Sequence, residues 1–313
     1  GIDTNIKGDL LVETKIKGDL KTDQNIITVG NNFSNLINPK YKKEFEVIGA
    51  VSNGYLGRGM DLSQDGKYLI VGEERYTGGF SGCGRSIVYE YDSTAGTWTQ
   101  KGADIEGDQA NLNIGAFNAI SDDGNTIATG SYNFNSVRGA VQIFKYSAGW
   151  GTKYAEILGV DASDASGRVD LSSDGKYLII GSSRTTITAG FCEVYEDNGS
   201  TYILRGTRKF GDSIGDRFGL CVSISADGSV IACGGSNGGI SQAGLVRVYV
   251  WNGSTDYDLK QSITSITPSD RLGENIRLSS DGKHISITGS SVSGVPTGEG
   301  ICVVYSSTDL LTW

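Results

Sequence analysis

The sequence predicts an all-β protein, a five-bladed β-propeller of four-stranded antiparallel blades. Three observations carry this. A pattern of glycines, an Asp-Gly pair and an aromatic recurs five times in phase. Gly is abundant (46 of 313 residues) while Pro is scarce (3), which suits many tight turns between short strands rather than collagen or a disordered linker. Val, Ile, Thr and Tyr runs favour strand over helix.

The clearest copy runs from Phe218-Gly219 through Ser225-Ala226-Asp227-Gly228 to Gly234, then Gly244 and Tyr249. Its first Gly recurs as Gly57, Gly115, Gly167 and Gly273, and its turn Asp as Asp65, Asp123, Asp174 and Asp281. The strand-ending Gly recurs as Gly72, Gly130, Gly181 and Gly289, and the third Gly as Gly84, Gly139, Gly190 and Gly300. An aromatic follows the third Gly by five residues in every copy: Tyr89, Phe144, Tyr195, Tyr249 and Tyr305. Ser-x-Asp-Gly predicts a tight hairpin, because Gly accepts positive φ and Asp bonds to its own turn. The following strand, as in Tyr177-Leu178-Ile179-Ile180, is apolar on both faces and is expected to be covered on both. The fourth strand of each copy is more polar. Four antiparallel strands per repeat, graded from apolar to polar, mark a propeller blade.

The last copy runs out of sequence where its fourth strand is expected, at Leu310-Leu311-Thr312-Trp313. Glu44-Phe45-Glu46-Val47-Ile48-Gly49 resembles the blade end Tyr154-Ala155-Glu156-Ile157-Leu158-Gly159. It is therefore expected to complete the fifth blade and close the ring, leaving no open sheet edge. The alternative is a larger propeller of which this is a part.

A shorter repeat precedes the blades. Thr4-Asn5-Ile6-Lys7-Gly8-Asp9-Leu10 returns as Thr14-Lys15-Ile16-Lys17-Gly18-Asp19-Leu20, with a degenerate third copy from Gln24 to Gly30. Residues 1–30 are read as a repetitive β stalk or oligomerisation segment, residues 31–43 as a linker, and residues 44–313 as the propeller head. A short ribbon cannot bury its apolar face alone. It needs other chains, its own neighbours, or, in the alternative, the main domain beneath it.

Net charge is −9, without basic blocks or aromatic–basic alternation, so nucleic acid is not an expected partner. No apolar run approaches the length of a membrane span, and no signal-peptide pattern is visible. The five cysteines form no CxxC pair, which argues against a zinc site. They are expected to act as small core hydrophobes. The one histidine, His284, follows a turn that other blades make without His, and is expected at the surface. No phosphate-cradling glycine loop is present. The five turn aspartates are expected to be structural. The non-periodic acids Glu73, Glu74, Asp161, Asp164, Asp216 and Glu274 are read as solvated. No cofactor is expected.

The residues of the clearest copy resemble FG-GAP repeats, the integrin-type propellers, over about residues 45–313. In that family many blades hold calcium in an Asp-x-Asp-x-Asp-Gly loop. Here the loop reads Leu62-Ser63-Gln64-Asp65-Gly66 or Leu171-Ser172-Ser173-Asp174-Gly175, and only the last Asp remains. Hard cations need six or more oxygen ligands, so no metal site is carried over. The N-terminal Gly-Asp-Leu units resemble the shafts of bacteriophage and viral fibres and spikes, which implies an oligomer, commonly a trimer.

Together these resemblances imply a non-enzymatic attachment protein on a virion surface or outside the cell, joined to other chains through the stalk. Its head would bind a host-surface glycan or protein without inserting into a membrane. The candidate contacts are Arg75, Tyr76, Phe80, Tyr132, Phe134, Arg138 and Arg184, on loops whose length varies while the strands stay in phase. A cellular FG-GAP adhesion module is the first alternative. A propeller glycoside hydrolase, using carboxylates near the central axis, is the second.

Overall fold

The computed structural model describes residues 19–21, 26–28, 43–132, 134, 138–160, 164, 166–183, 188–239, 242–267, 269–290 and 300–313. The chain divides into two compact units, Gly1–Glu46 and Val47–Trp313. In the first, Asp19–Lys21 and Ile26–Thr28 pair as an antiparallel ribbon, with Leu20 opposite Ile27. The rest of the expected stalk and linker lies outside the described residues.

The second unit is a five-bladed β-propeller. Blade 1 is built from Leu56–Leu62, Tyr68–Glu73, Arg85–Asp92 and Thr97–Gln100. Blade 2 has Phe117–Ile120, Thr126–Ser131, Ala140–Lys145 and Ala155–Leu158. Blade 3 has Ser166–Leu171, Tyr177–Ser182, Phe191–Asp197 and Tyr202–Leu204. Blade 4 has Cys221–Ile224, Val230–Gly235, Leu245–Trp251 and Tyr257–Thr264. Blade 5 contributes Asn275–Leu278, His284–Gly289 and Ile301–Ser306 among the described residues. The second strands of blades 2 and 4, Thr126–Ser131 and Val230–Gly235, are buried throughout, whereas the outer Thr97–Gln100 is mostly exposed.

The Ser-x-Asp-Gly turn has one construction in all five blades. The Ser hydroxyl donates to the Asp carboxylate at 2.6–2.8 Å. The same hydroxyl accepts from the backbone N–H five residues beyond the Ser. The expectation of structural aspartates therefore holds, because one oxygen of each carboxylate is taken up within its own turn.

The glycines form the seams between blades. A Cβ on Gly130 would lie 1.9 Å from the Gly167 carbonyl oxygen of blade 3, and one on Gly181 would lie 2.2 Å from the Gly219 oxygen of blade 4. Isolated parallel bridges join Gly84 to Ile114, Gly139 to Ser166, Gly190 to Phe218 and Gly244 to Leu272. At three seams the side chain before the first Gly is an apolar plug, and Ile114, Phe218 and Leu272 are fully or almost fully buried. Apolar clusters fill the spaces between blades 1 and 2, 2 and 3, 3 and 4, and 4 and 5.

Blades 5 and 1 meet differently. The residues just before the turn aspartates form a hydrogen-bonded circle. Gln64 N donates to Asp122 Oδ1 at 2.9 Å, Asp122 N to Ser173 O at 2.8 Å, Ser173 N to Ala226 O at 2.9 Å, and Ala226 N to Ser280 O at 2.9 Å. The Gln64 side-chain amide donates to the Ser280 hydroxyl and completes the circle.

The expected closing strand at Glu44–Gly49 is corrected: these residues form no strand among those described. The chain is held to blade 1 instead. Ala50 N and Val51 N donate to the buried carboxylate of Glu73 at 3.4 and 3.2 Å. Ile48 is left 80% exposed.

All five cysteines are free. Cys83, Cys192 and Cys233 are core residues as expected, while Cys221 is half-buried and Cys302 exposed. In the register, Cys221 lies opposite Gly234 and Val222 opposite Cys233, which puts the Cys221 and Cys233 thiols on opposite faces of the sheet. His284 is exposed, as expected.

Candidate functional site: a charged central bore

The innermost strands of all five blades line a central bore with two cavities. Equivalent positions of the repeat supply its chemistry. Four residues before each turn Asp, the five blades place Asp61, Ala119, Asp170, Ser223 and Arg277. Two residues earlier they place Gly59, Phe117, Arg168, Cys221 and Asn275. The fold repeats a backbone, and the bore reads out one variable side chain per blade at each level.

The first cavity, about 170 Å³, lies at the turn end and is lined by Asp61, Asp122, Asp170, Ser223, Arg277 and their neighbours. Asp170 is buried and well held. Its carboxylate accepts from Ser223 Oγ at 2.9 Å, Ile224 N at 3.0 Å and Leu171 N at 3.1 Å. Arg277 Nη1 stands 3.5 Å from Asp170 Oδ1. Asp61 accepts from Ile120 N at 2.9 Å. In blades 1 and 3 this Asp thus binds a backbone N–H of the next blade. In blade 5 the equivalent Arg277 supplies a cation to the acids.

These neighbours set the protonation of the bore. Burial, reinforced by the negative charge of Asp170, pushes the Asp61 carboxyl up to about 6. Burial also raises Asp170, against the pull of Arg277 and three hydrogen bonds. Asp170 chiefly, and Asp61 to a lesser degree, hold the Arg277 guanidinium above its ordinary range against its partial desolvation. The cavity thus gathers two carboxyls raised by burial and one guanidinium.

The second cavity, about 270 Å³, is lined by Arg58, Phe117, Arg168, Cys221, Asn275 and Arg277 among others. Arg58 is paired with the fully buried Glu74, which also accepts from Tyr132 Oη at 3.2 Å. The Arg58 guanidinium stacks 5.0 Å from the Tyr132 ring centroid. Arg168 stacks 4.6 Å from the centroid of Phe117.

The loop residues expected to contact a ligand lie between the second and third strands of blades 1, 2 and 3. Arg75 stacks on Tyr55 at 4.6 Å, and Tyr76 lies beneath the Arg85 guanidinium at 4.1 Å. Phe134 packs against the core of blades 1 and 2, and the Arg138 Nε donates to the Gly159 carbonyl. Phe80 is 48% exposed. Of the set, Tyr132 reaches the Arg58–Glu74 group beside the bore. Arg184 lies outside the described residues.

The reading of the non-periodic acids as solvated is also corrected, because Glu73, Glu74, Asp164 and Asp216 are buried. Glu73 takes two bonds from Arg85, and Asp216 takes the N–H groups of Asp212 and Ser213. Buried carboxylates persist where such donors replace water. Asp161 lies outside the described residues, and Glu274 accepts from Ser290 N. Missing from the sequence expectations were Asp61, Asp170, Arg277 and Arg168. Stacking the five repeats residue by residue would have exposed them, since Asp61, Asp170 and Arg277 share one inner-strand position and Arg168 stands two residues before it.

No protein-family model matches the sequence, and no curated protein does. Solved structures share the fold. A periplasmic gluconolactonase of Pseudomonas aeruginosa is similar at 17% identity with a TM-score of 0.50, over 78% of this chain and 70% of that one. Kuenenia stuttgartiensis hydrazine synthase is similar at 14% identity and TM-score 0.48, over 80% and 71% of the two chains. TolB from Acinetobacter baumannii is similar at 16% identity and TM-score 0.47, over 79% of this chain and 51% of its own.

These findings correct the expected attachment role. The solved structure that matches at a TM-score of 0.50 is a gluconolactonase and not a fibre or spike head. Most of the described loop residues assigned to host contact are engaged within the chain. What the structural likeness establishes is the propeller fold.

Proposed function

We propose that this propeller is an enzyme that acts on a small polar molecule in its central bore, with Asp61 and Asp170 as its acid–base pair. The observation that carries the reading is one cavity joining two carboxyls and a guanidinium from blades 1, 3 and 5, with Asp61 held near 6. A group poised there is ionised often enough to accept a proton and protonated often enough to return one. Asp170, held by three donors beside Arg277, adds a second carboxyl next to Asp61. Arg277 would stabilise negative charge developing on a reacting oxygen.

The reaction class that needs these parts is hydrolysis. Asp61 takes a proton from water as the water oxygen bonds to an ester or lactone carbonyl carbon. The carbon–oxygen bond to the leaving group breaks, and the leaving oxygen takes the proton. The gluconolactonase named above makes lactones a natural first panel, together with linear esters. The repeat's likeness to FG-GAP blades bears on the scaffold and not on this chemistry. Turnover by the wild-type protein, lost by at least a hundredfold in both Asp61→Asn and Asp170→Asn with the fold intact, is the expected result. Turnover that survives both substitutions would remove the bore carboxyls from the chemistry.

A further inference from the structure

We propose that the second cavity is a binding site for an oxyanion, the carboxylate or phosphate group of a small molecule, with Arg168 as its principal ligand and Arg58 beside it. Pairing sets Arg168 apart. Other arginines of the bore and seams have oxygen partners: Arg85 binds Glu73 and Asp104, Arg208 binds Glu193, Arg247 binds Asp212, and Arg277 faces Asp170. Arg168 has no hydrogen-bond acceptor or carboxylate partner among the described residues, and its contact there is the face of Phe117. Yet the chain carries an excess of acids, 36 Asp and Glu against 27 Lys and Arg, so carboxylates were available for pairing.

Two further arginines lie nearby, Arg217 and the Glu74-paired Arg58. Burial, together with the nearby Arg217 and Arg58, works against the charged form of Arg168 and lowers its pKa. A guanidinium in this position has much to gain from an anion, since it offers five N–H donors in a planar fork that matches carboxylate or phosphate oxygens. The Phe117 ring packs against that guanidinium, its centroid 4.6 Å from Cζ. Asn275 adds an amide at the cavity wall. About 270 Å³ holds a small organic acid or a phosphate with its ordered waters.

The oxyanion site stands on Arg168 and does not depend on the acid–base reading of Asp61. The test is calorimetric titration of the full chain with inorganic phosphate and with citrate, alongside thermal melts with and without each anion. Wild type is expected to bind at least one of them with a Kd below about 1 mM and to melt higher in its presence. Arg168→Gln should bind at least tenfold more weakly and lose the anion-dependent rise. Without anion it should melt at or above wild type, because a half-buried cation without a carboxylate partner has been removed. Arg168→Lys should retain part of the affinity, and the exposed-loop variant Arg75→Gln all of it. Absence of binding by wild type to either anion would overturn the proposal, as would equal binding by Arg168→Gln. If Arg168→Gln misfolds, loss of affinity in folded Arg168→Lys supports the proposal and unchanged affinity overturns it.

Discussion

Arg277 of blade 5 stands 3.5 Å from Asp170 of blade 3, so a single pair links blades that are not neighbours in the ring. The two residues occupy the same position of the repeat. Substituting Arg277 by Met leaves two carboxyls in the cavity without their cation. Because the Arg277 side chain is 61% exposed, water in the bore screens the pair, and the expected loss is about 1 kcal/mol at pH 7.5. The loss should shrink toward pH 4.5, where the carboxyls take up protons. Urea unfolding at the two pH values checks this, and Asp170→Asn added to Arg277→Met should recover part of the deficit.

Asp61 predicts an unusual pH dependence. Its folded-state value of about 6 lies above the ordinary 3.8, so the folded protein binds more protons than the unfolded chain between about pH 4 and 6. Its contribution is therefore favourable at low pH, is lost as pH rises through that window, and becomes a constant cost above it. Asp61→Asn keeps an acceptor for Ile120 N and removes the charge. It should stabilise the protein by roughly 1–3 kcal/mol at pH 7.5 and by little at pH 4, measured by chemical denaturation. Stabilisation with loss of activity would be the trade expected of a catalytic group.

The seams make a steric prediction. Gly130→Ala places a methyl 1.9 Å from the Gly167 carbonyl oxygen, backbone against backbone, where neither side can yield cheaply. A loss above about 3 kcal/mol, or failure to fold, is expected. Gly151→Ala meets nothing within 4 Å and should change stability by less than about 0.5 kcal/mol. Comparing the two melts separates seam glycines from loop glycines.

The propeller was legible in the sequence because its determinants are local and repeated. Ser225, Asp227 and Gly228 build their turn from bonds within five residues, and the same letters do so four more times. Ring closure was less legible. Glu44–Gly49 has the composition of a blade end, but the chain beyond it is captured by Glu73, whose burial depends on Arg85 twelve residues further on. The bore was hidden for a related reason. Asp61, Asp170 and Arg277 lie far apart in the chain, on three different strands. Their meeting is a consequence of ring geometry. The loops drew attention because they vary, while Asp61, Arg168, Asp170 and Arg277 of the bore lie at two fixed positions inside the constant frame.

Asp61 and Asp170 sharing their protonation in the bore is the central claim. Carbon-13 carboxyl NMR titration of Asp61, in wild type and in Asp170→Asn, tests it directly. A midpoint near pH 6 in wild type is expected, falling in Asp170→Asn while burial keeps it above the usual carboxylate range. A midpoint near the ordinary 3.8 in both proteins would contradict it.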